Sequence, residues 1–427
     1  MWTVNNTIRN TSPLADHCRR GLLALLIFSH SSALFANSAE PFRNLKQQWP
    51  VQVETLWHTD PQTIRLSTGS LQVQFNGSVL LKAPAQATPE QVIKWCQCLP
   101  AEPIQQLYLG HSFSYFRLTL LQDEGTQALQ RLQQQKAITL LQPDLLQLSW
   151  QPNSAAERPI GTSAEPPSVN TQIIQPSEPV ESNLAEGITI AVIDDGFRLN
   201  HAELSELRVA FSFDVTQGNW DPSPKHRRER HGNLVLGLLG AKHDSQAPEG
   251  LAPDADYVLI RQPDSWTSNT LISLQLAKLA GADIINNSWH THHLLEPIAD
   301  VVADLRQHGR SGKGIPVVFA AGNQAQLLQP NEHEASLTTA LVIGASASDG
   351  SPMDYSNQGP SIDAWFNDDQ SQSLGRGKRT RRFSGTSAAA AKASGWLAQQ
   401  LSADPTLTVE ELEQRLKQSQ ASVQSIR

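Results

Sequence analysis

Three short segments of the chain end in residue types that together make an activated nucleophile. Val192-Ile193-Asp194-Asp195-Gly196 offers a carboxylate, His231-Gly232-Asn233 an imidazole, and Gly385-Thr386-Ser387-Ala388 a hydroxyl. A serine hydroxyl is a poor nucleophile at neutral pH. It needs an imidazole to take its proton and a carboxylate to hold that imidazole in the right tautomer. Each residue alone has an ordinary use: Asp before Gly in a turn, His capping a helix, Ser filling an alanine-rich helix. Their joint occurrence in the order Asp, His, Ser points to acyl-transfer chemistry.

The surrounding pattern says which elements must position them. Gly187 to Ile193 is a short β-branched run, the pattern of a strand buried on both faces, and Asp194 falls at its carboxyl end. Leu234 to Leu239 reads as a buried helix that begins near His231. Gly314 to Ala321 reads as a second buried strand that ends in Gly322-Asn323. Ser384 to Leu401 is alanine-rich and helical, with Ser387 in its first turn. Strand carboxyl ends and helix amino ends converge on one crevice in open α/β sheets. The pattern therefore predicts a mostly parallel sheet between helices, closed by a terminal helix over Thr408 to Leu416.

Seven segments, in order, resemble the subtilisin-like serine peptidases, or subtilases. They are Ile193-Asp194-Asp195-Gly196 with His201-Ala202-Glu203-Leu204, the stretch from His231 to Gly237, Gly250 to Ala255, Ala282 to Ser288, Ala320 to Asn323, Tyr355 to Pro360, and the Ser387 turn. The resemblance covers roughly residues 185 to 420. It implies a subtilisin-like three-layer α/β fold and a serine-type endopeptidase. In that reading Asp194, His231 and Ser387 are catalytic, and Asn323 donates to the oxyanion. Ser288, Trp289 and His290 lie along the substrate backbone. Ala320, Ala321 and Gly322 form the opposite wall of the specificity pocket.

The chain departs from the family pattern at three places. Asp195 stands where a small hydroxyl residue is usual; it reads as a turn or cap carboxylate that could also raise the imidazole pKa. Trp289, His290, Thr291, His292 and His293 stand where glycines are usual, so they either reshape the pocket or turn outward. The histidines have no carboxylate or cysteine at a supporting metal-ligand spacing. After the nucleophile come Ala388 to Ala391 and Lys392, with no proline at Ala391, which predicts a slightly looser but active serine.

The remainder suggests a precursor of four parts: a signal peptide over 1–36, a small α+β propeptide-like domain over 37–150, a linker over 151–185, and a subtilisin-like domain over 186–427. Arg9, Arg19 and Arg20 precede an apolar run from Gly21 to Phe28, then small residues, which is the order of a secretory signal. That run is too short to span a bilayer comfortably, so a secreted or periplasmic product without a stable membrane anchor is expected. Residues 64 to 150 read as strand, helix, strand, helix, strand, with Thr88-Pro89 opening the first helix. This unit resembles a propeptide, which would act as an intramolecular inhibitor; an unrelated accessory domain is the other reading. The linker is rich in Pro, Ser, Glu and Ala, and self-cleavage would fall in or just before it. Cys96 and Cys98 read as partly buried free thiols, with a zinc or redox site as the other reading.

Composition bounds the partners. With 427 residues and a net charge of −8, there is no electrostatic case for nucleic acid; protein or peptide substrates are expected. Two basic runs, Lys225 to Arg230 and Arg376 to Arg382, approach His231 and Ser387, either as a cationic rim or as solvated loops. No cofactor is required by this chemistry. Asp363, Asp368 and Asp369 are the acids that could bind a structural calcium, but no pattern marks such a site. The rival to a peptidase is a binding or scaffolding protein on the same fold, its cleft blocked by Trp289 and His290.

Overall fold

The computed structural model describes residues 51–52, 62–66, 69–121, 125–147, 185–242, 249–330, 332–368, 371–375 and 380–424. The expected signal peptide and nearly all of the expected linker, including any cleavage point in it, lie outside these. The described residues fall in one compact unit, Phe35–Arg427.

The amino-terminal part holds β1 (Val51–Gln52), β2 (Gln62–Leu66), β3 (Gly69–Pro84), α1 (Pro89–Cys96), β4 (Gln105–Leu109), β5 (Phe113–Thr119), α2 (Gly125–Gln134) and β6 (Leu140–Gln147). The strands form an antiparallel sheet in the order β1-β2-β3-β5-β4, with β6 added against β3. Thr88 caps α1 in a full capping box and Pro89 opens it. Both helices pack on one face of the sheet through Val92, Cys96, Ala128 and Leu132 against Val79, Leu81, Phe116 and Leu118. Cys96 and Cys98 are bonded to each other, which corrects the free-thiol expectation. Gln97 takes a left-handed conformation that ends α1 and leaves the two Cα atoms 5.1 Å apart, within disulfide reach.

The larger part is built on seven parallel strands: β7 (Thr189–Asp194), β8 (Arg208–Asp214), β9 (Asp256–Arg261), β10 (Ile284–Asn287), β11 (Val317–Ala320), β12 (Leu341–Ser346) and β13 (Ala364–Asn367). Their order is β13-β12-β11-β10-β7-β9-β8. The order reverses at β7, so a crevice opens above the carboxyl ends of β7, β10 and β11. Between the strands run α3 (His231–Gly240), α4 (Thr267–Leu279) and α5 (Glu296–Gly312). A small hairpin, β14 (Gln372–Leu374) with β15 (Thr380–Arg382), leads into α6 (Thr386–Ala403), and α7 (Val409–Gln424) closes the chain. Alternate residues of β7, Ile190 and Val192, join α3 and α6 in one apolar core. Ala191 and Ile193 are equally buried and point to the opposite face of the sheet. This is the expected three-layer arrangement.

The amino-terminal sheet rests its other face on α4 and α5. Tyr108 and Tyr115 donate hydroxyl protons to Asp304 (2.8 Å) and Asp300. Lys82 pairs with Asp300 at 2.6 Å and Lys278 with Asp304 at 3.2 Å. Asp144, fully buried, accepts from the Ser268 amide (3.0 Å) and hydroxyl (2.7 Å). The acid there satisfies a free amide in the first turn of α4. The end of β6 then reaches the crevice: Gln147 exchanges two hydrogen bonds with the His293 backbone, at 2.7 and 3.0 Å.

Candidate active site

Asp194 ends β7 and is almost wholly buried. Its carboxylate holds His231 Nδ1 at 2.9 and 3.0 Å through both oxygens. That bond leaves Nε2 as the nitrogen available for proton transfer. The His231 side chain keeps 35% exposure, and the ring of Phe383 meets it edge-on at 5.4 Å. Burial among its neighbours works against the charged imidazole, but the Asp194 carboxylate, with a smaller push from Asp195, outweighs it. The pKa of His231 therefore lies above the ordinary histidine value.

The close approach of α3 to the Asp194 turn depends on Gly232. A Cβ there would meet the Gly196 carbonyl at 2.6 Å and Asp194 Cβ at 3.1 Å. Asp195 is the cap of this helix. Its carboxylate accepts the backbone N–H groups of Arg230 (3.0 Å), His231 (3.1 Å) and Gly232 (2.8 Å). Arg230, at the N-cap position, makes no side-chain cap itself, so Asp195 supplies from outside what the helix lacks. Burial first, then the neighbouring Asp194 charge, pushes the Asp195 pKa up to about 6.

Ser387 is the second residue of α6, behind Gly385 at φ +100. Its hydroxyl donates to the Ser288 carbonyl at 2.9 Å, and no hydrogen bond joins it to His231 among the described residues. Ser288 in turn donates its own hydroxyl to the Ser387 carbonyl at 3.0 Å, which ties the nucleophile turn to the end of β10. Ala388 to Ala391 are fully buried in the core, and the helix runs through Ala391 without interruption. Lys392 reaches the Asn367 carbonyl at 2.6 Å.

Asn323 follows β11 and is fixed by Thr386, whose amide and hydroxyl donate to its Oδ1 at 2.9 and 3.1 Å. With Oδ1 occupied, Nδ2 is the free donor, and it lies 3.3 Å from the Cβ position of Gly385, beside the serine turn. Thr386 and Asn357 are residues that sequence reasoning missed in this role. Asn357 holds the same loop by donating to the Ala321 carbonyl (2.9 Å) and accepting from Gln324 and Gln326 amides (3.1 and 3.0 Å). Tyr355 to Pro360 stands out in the sequence only as a matching segment; its structural duty follows from the fold.

The substrate-wall residues divide. Ser288 faces Ser387, as described. Trp289 turns back to the sheet: its indole donates to the Ile193 carbonyl at 2.8 Å and meets Phe319 edge-on. His290 lies against Gly322, and Ala320 and Ala321 are buried beside it. Among the described residues no group of His, Cys, Asp and Glu is arranged to hold a metal ion. Asp363 bonds the Val342 amide and pairs with Lys417, whereas Asp368 accepts from the Gly385 amide and the Tyr355 hydroxyl. The two acids thus serve separate places. Arg227, Arg228 and Arg230 are exposed near His231, and Arg381 and Arg382 on β15; Lys225 is paired with Asp221 at 2.6 Å.

A carboxylate–imidazole pair, a serine at a helix start and a side-chain amide thus stand above the carboxyl edge of a parallel sheet. The model of the subtilase family matches residues 185–426, more than half of the chain. The chain belongs to the subtilase family. It is 28% identical to a protein named calcium-dependent protease from Trichormus variabilis, over 55% of this chain and 41% of that one. It is also 28% identical to endoprotease aex-5 of Caenorhabditis elegans (54% and 45%) and 26% identical to subtilisin E of Bacillus subtilis (58% and 64%). The chain thus spans less than two thirds of the length of these relatives. A solved cold-adapted subtilisin-like serine proteinase aligns with a TM-score of 0.46 at 22% identity, over 55% of this chain and 82% of that one.

Proposed function

We propose that this chain is a serine endopeptidase acting through Asp194, His231 and Ser387. The observation that carries the reading is the bond from Asp194 to His231 Nδ1 at 2.9 Å above the same crevice as Ser387 and Asn323. Ser387 attacks the scissile carbonyl while His231 Nε2 takes the hydroxyl proton and later gives it to the leaving amine. Asp194 stabilises the imidazolium. Asn323 Nδ2 donates to the developing oxyanion. In the resting state the Ser387 hydroxyl is parked on the Ser288 carbonyl. Rotation about its Cα–Cβ bond turns it to the imidazole as a substrate amide takes over that carbonyl; catalytic hydrogen bonds commonly tighten only with substrate bound.

The same reading includes secretion, supported by the order of basic, apolar and small residues over 1–36, and synthesis as a precursor of the four parts given above. The amino-terminal domain is the intramolecular inhibitor. Its fit is supported by the buried bonds from Asp144 to α4 and from Gln147 to His293 at the crevice. Protein or peptide chains are the substrates.

Labelling by a fluorophosphonate probe, with Ser387→Ala as control, tests this. Labelling that disappears in the control supports the triad. No labelling of a chain already shortened to the larger domain defeats the reading and favours the scaffold. No labelling of an uncut chain points to a retained inhibitor, and labelling that appears after limited proteolysis then decides the case.

A further inference from the structure

The two segments that leave β10 and β11 run side by side, because Asn287 and Phe319 are partners in adjacent parallel strands. Ser288 to His290 continues the first and Ala320 to Gly322 the second. In the peptidase reading, the substrate side chain on the amino side of the cut bond enters between them. Resting on the peptidase reading, we propose that His290 fills this gap and limits that position to glycine, alanine or serine.

The ring lies where a larger side chain would go. A Cβ added to Gly322 would meet His290 Nε2 at 2.5 Å, with Asn357 Nδ2 at 2.5 Å and Gln324 Oε1 at 2.6 Å around it. Gly322 thus has no spare space on that side, and the imidazole bridges from one wall to the other. Trp289, which is bulkier, takes no part because its indole is bonded to β7. The narrowing falls to His290.

The ring is held rather than loose. Its Nδ1–H donates to the Thr291 carbonyl at 2.8 Å. Its face stacks on His333 at 4.8 Å and 24°. Thr291 is fixed in turn by Glu334, which accepts from its amide and hydroxyl at 2.8 Å and is fully buried. A large substrate side chain would have to break this bond and stack to move the ring aside. Burial keeps the His290 pKa below the ordinary value, so at neutral pH the ring excludes by volume and not by charge. The sequence marks His290 only as one of five residues, Trp289 to His293, that stand where glycines are usual; which of them faces the gap follows from the fold.

The test uses the full chain as produced and processed, with His290→Gly and His290→Ala. Fluorogenic peptides are identical except for Gly, Ala, Ser, Leu or Phe before the cut bond. For the native protein kcat/KM should be at least tenfold higher with Ala or Ser than with Leu or Phe. Either variant should bring the ratio within about threefold by raising the large-residue rates. A native protein that cleaves after Leu or Phe as well as after Ala overturns the proposal, as does an unchanged ratio in both variants. Fluorophosphonate labelling of each preparation reports Ser387 separately, so a silent native protein counts against the peptidase reading alone. In that case the pocket is read by anisotropy of fluorescent peptides ending in these residues on Ser387→Ala: preference for the small ends supports the proposal, and no preference overturns it.

Discussion

Asp195 offers a quantitative check on the electrostatics of the site. Its carboxylate accepts three amides at the start of α3, including that of His231 itself at 3.1 Å, which places a second negative charge near the imidazole. As a general scale, two unit charges about 6 Å apart interact by about 1.4 kcal/mol at an effective dielectric of about 40. This corresponds to about one pKa unit. The effect is smaller at low pH, because Asp195 itself protonates at about 6. Catalysis needs neutral His231, whose pKa is raised, so the rate falls as pH drops through that raised value. Asp195→Ser removes the charge and lowers the His231 pKa. Labelling of Ser387 by a fluorophosphonate probe, followed from pH 5 to 9, should therefore keep its rate to a pH about 0.5–1 unit lower. The same variant loses part of a helix cap, at a cost of about 0.5–2 kcal/mol in stability, which thermal unfolding reads independently. An acid limb that stays in place or moves to higher pH refutes the reasoning; Asp195 would then act on the helix alone.

Two further variants probe other parts of the site. Asn323→Ala should lower kcat by about 100- to 1000-fold with little change in KM, since the lost donor acts on the developing oxyanion; steady-state kinetics on one peptide would contradict this by showing a KM effect only. Asp304→Ala leaves the buried Tyr108 hydroxyl without its acceptor and the partly exposed Lys278 ammonium without its ion-pair partner, a loss of about 1–3 kcal/mol in the contact of the amino-terminal sheet with α4 and α5. Scanning calorimetry of the full chain should show a lower midpoint by several degrees, and an unshifted midpoint would mean that the contact carries little energy.

The candidate site residues are legible in the chain itself because each occupies a place that local pattern marks. A β-branched run dictates β7 and leaves Asp194 at its end. Glycine at 232 is the only residue that lets α3 approach that end, since a Cβ would strike the Gly196 carbonyl. The alanine run that makes α6 also places Ser387 in its first turn. The small domain is readable in part: the capped helix at Thr88-Pro89 is plain, whereas β4 and the length of β3 are not, because antiparallel pairing with distant strands extends them beyond any local signal.

What the sequence marks by itself is therefore the candidate groups and the class of sheet that carries them. The orientation of side chains is decided only by tertiary packing. Trp289 and His290 are adjacent and both bulky, yet one donates back to the Ile193 carbonyl and the other crosses to Gly322. Successive residues of an extended segment point to opposite sides, and which side meets the sheet depends on the neighbouring strands. The disulfide between Cys96 and Cys98 likewise depends on the left-handed turn at Gln97. The contact of β6 with α4 depends on an acid 124 positions before its partner Ser268, a distance at which no periodicity reports contact.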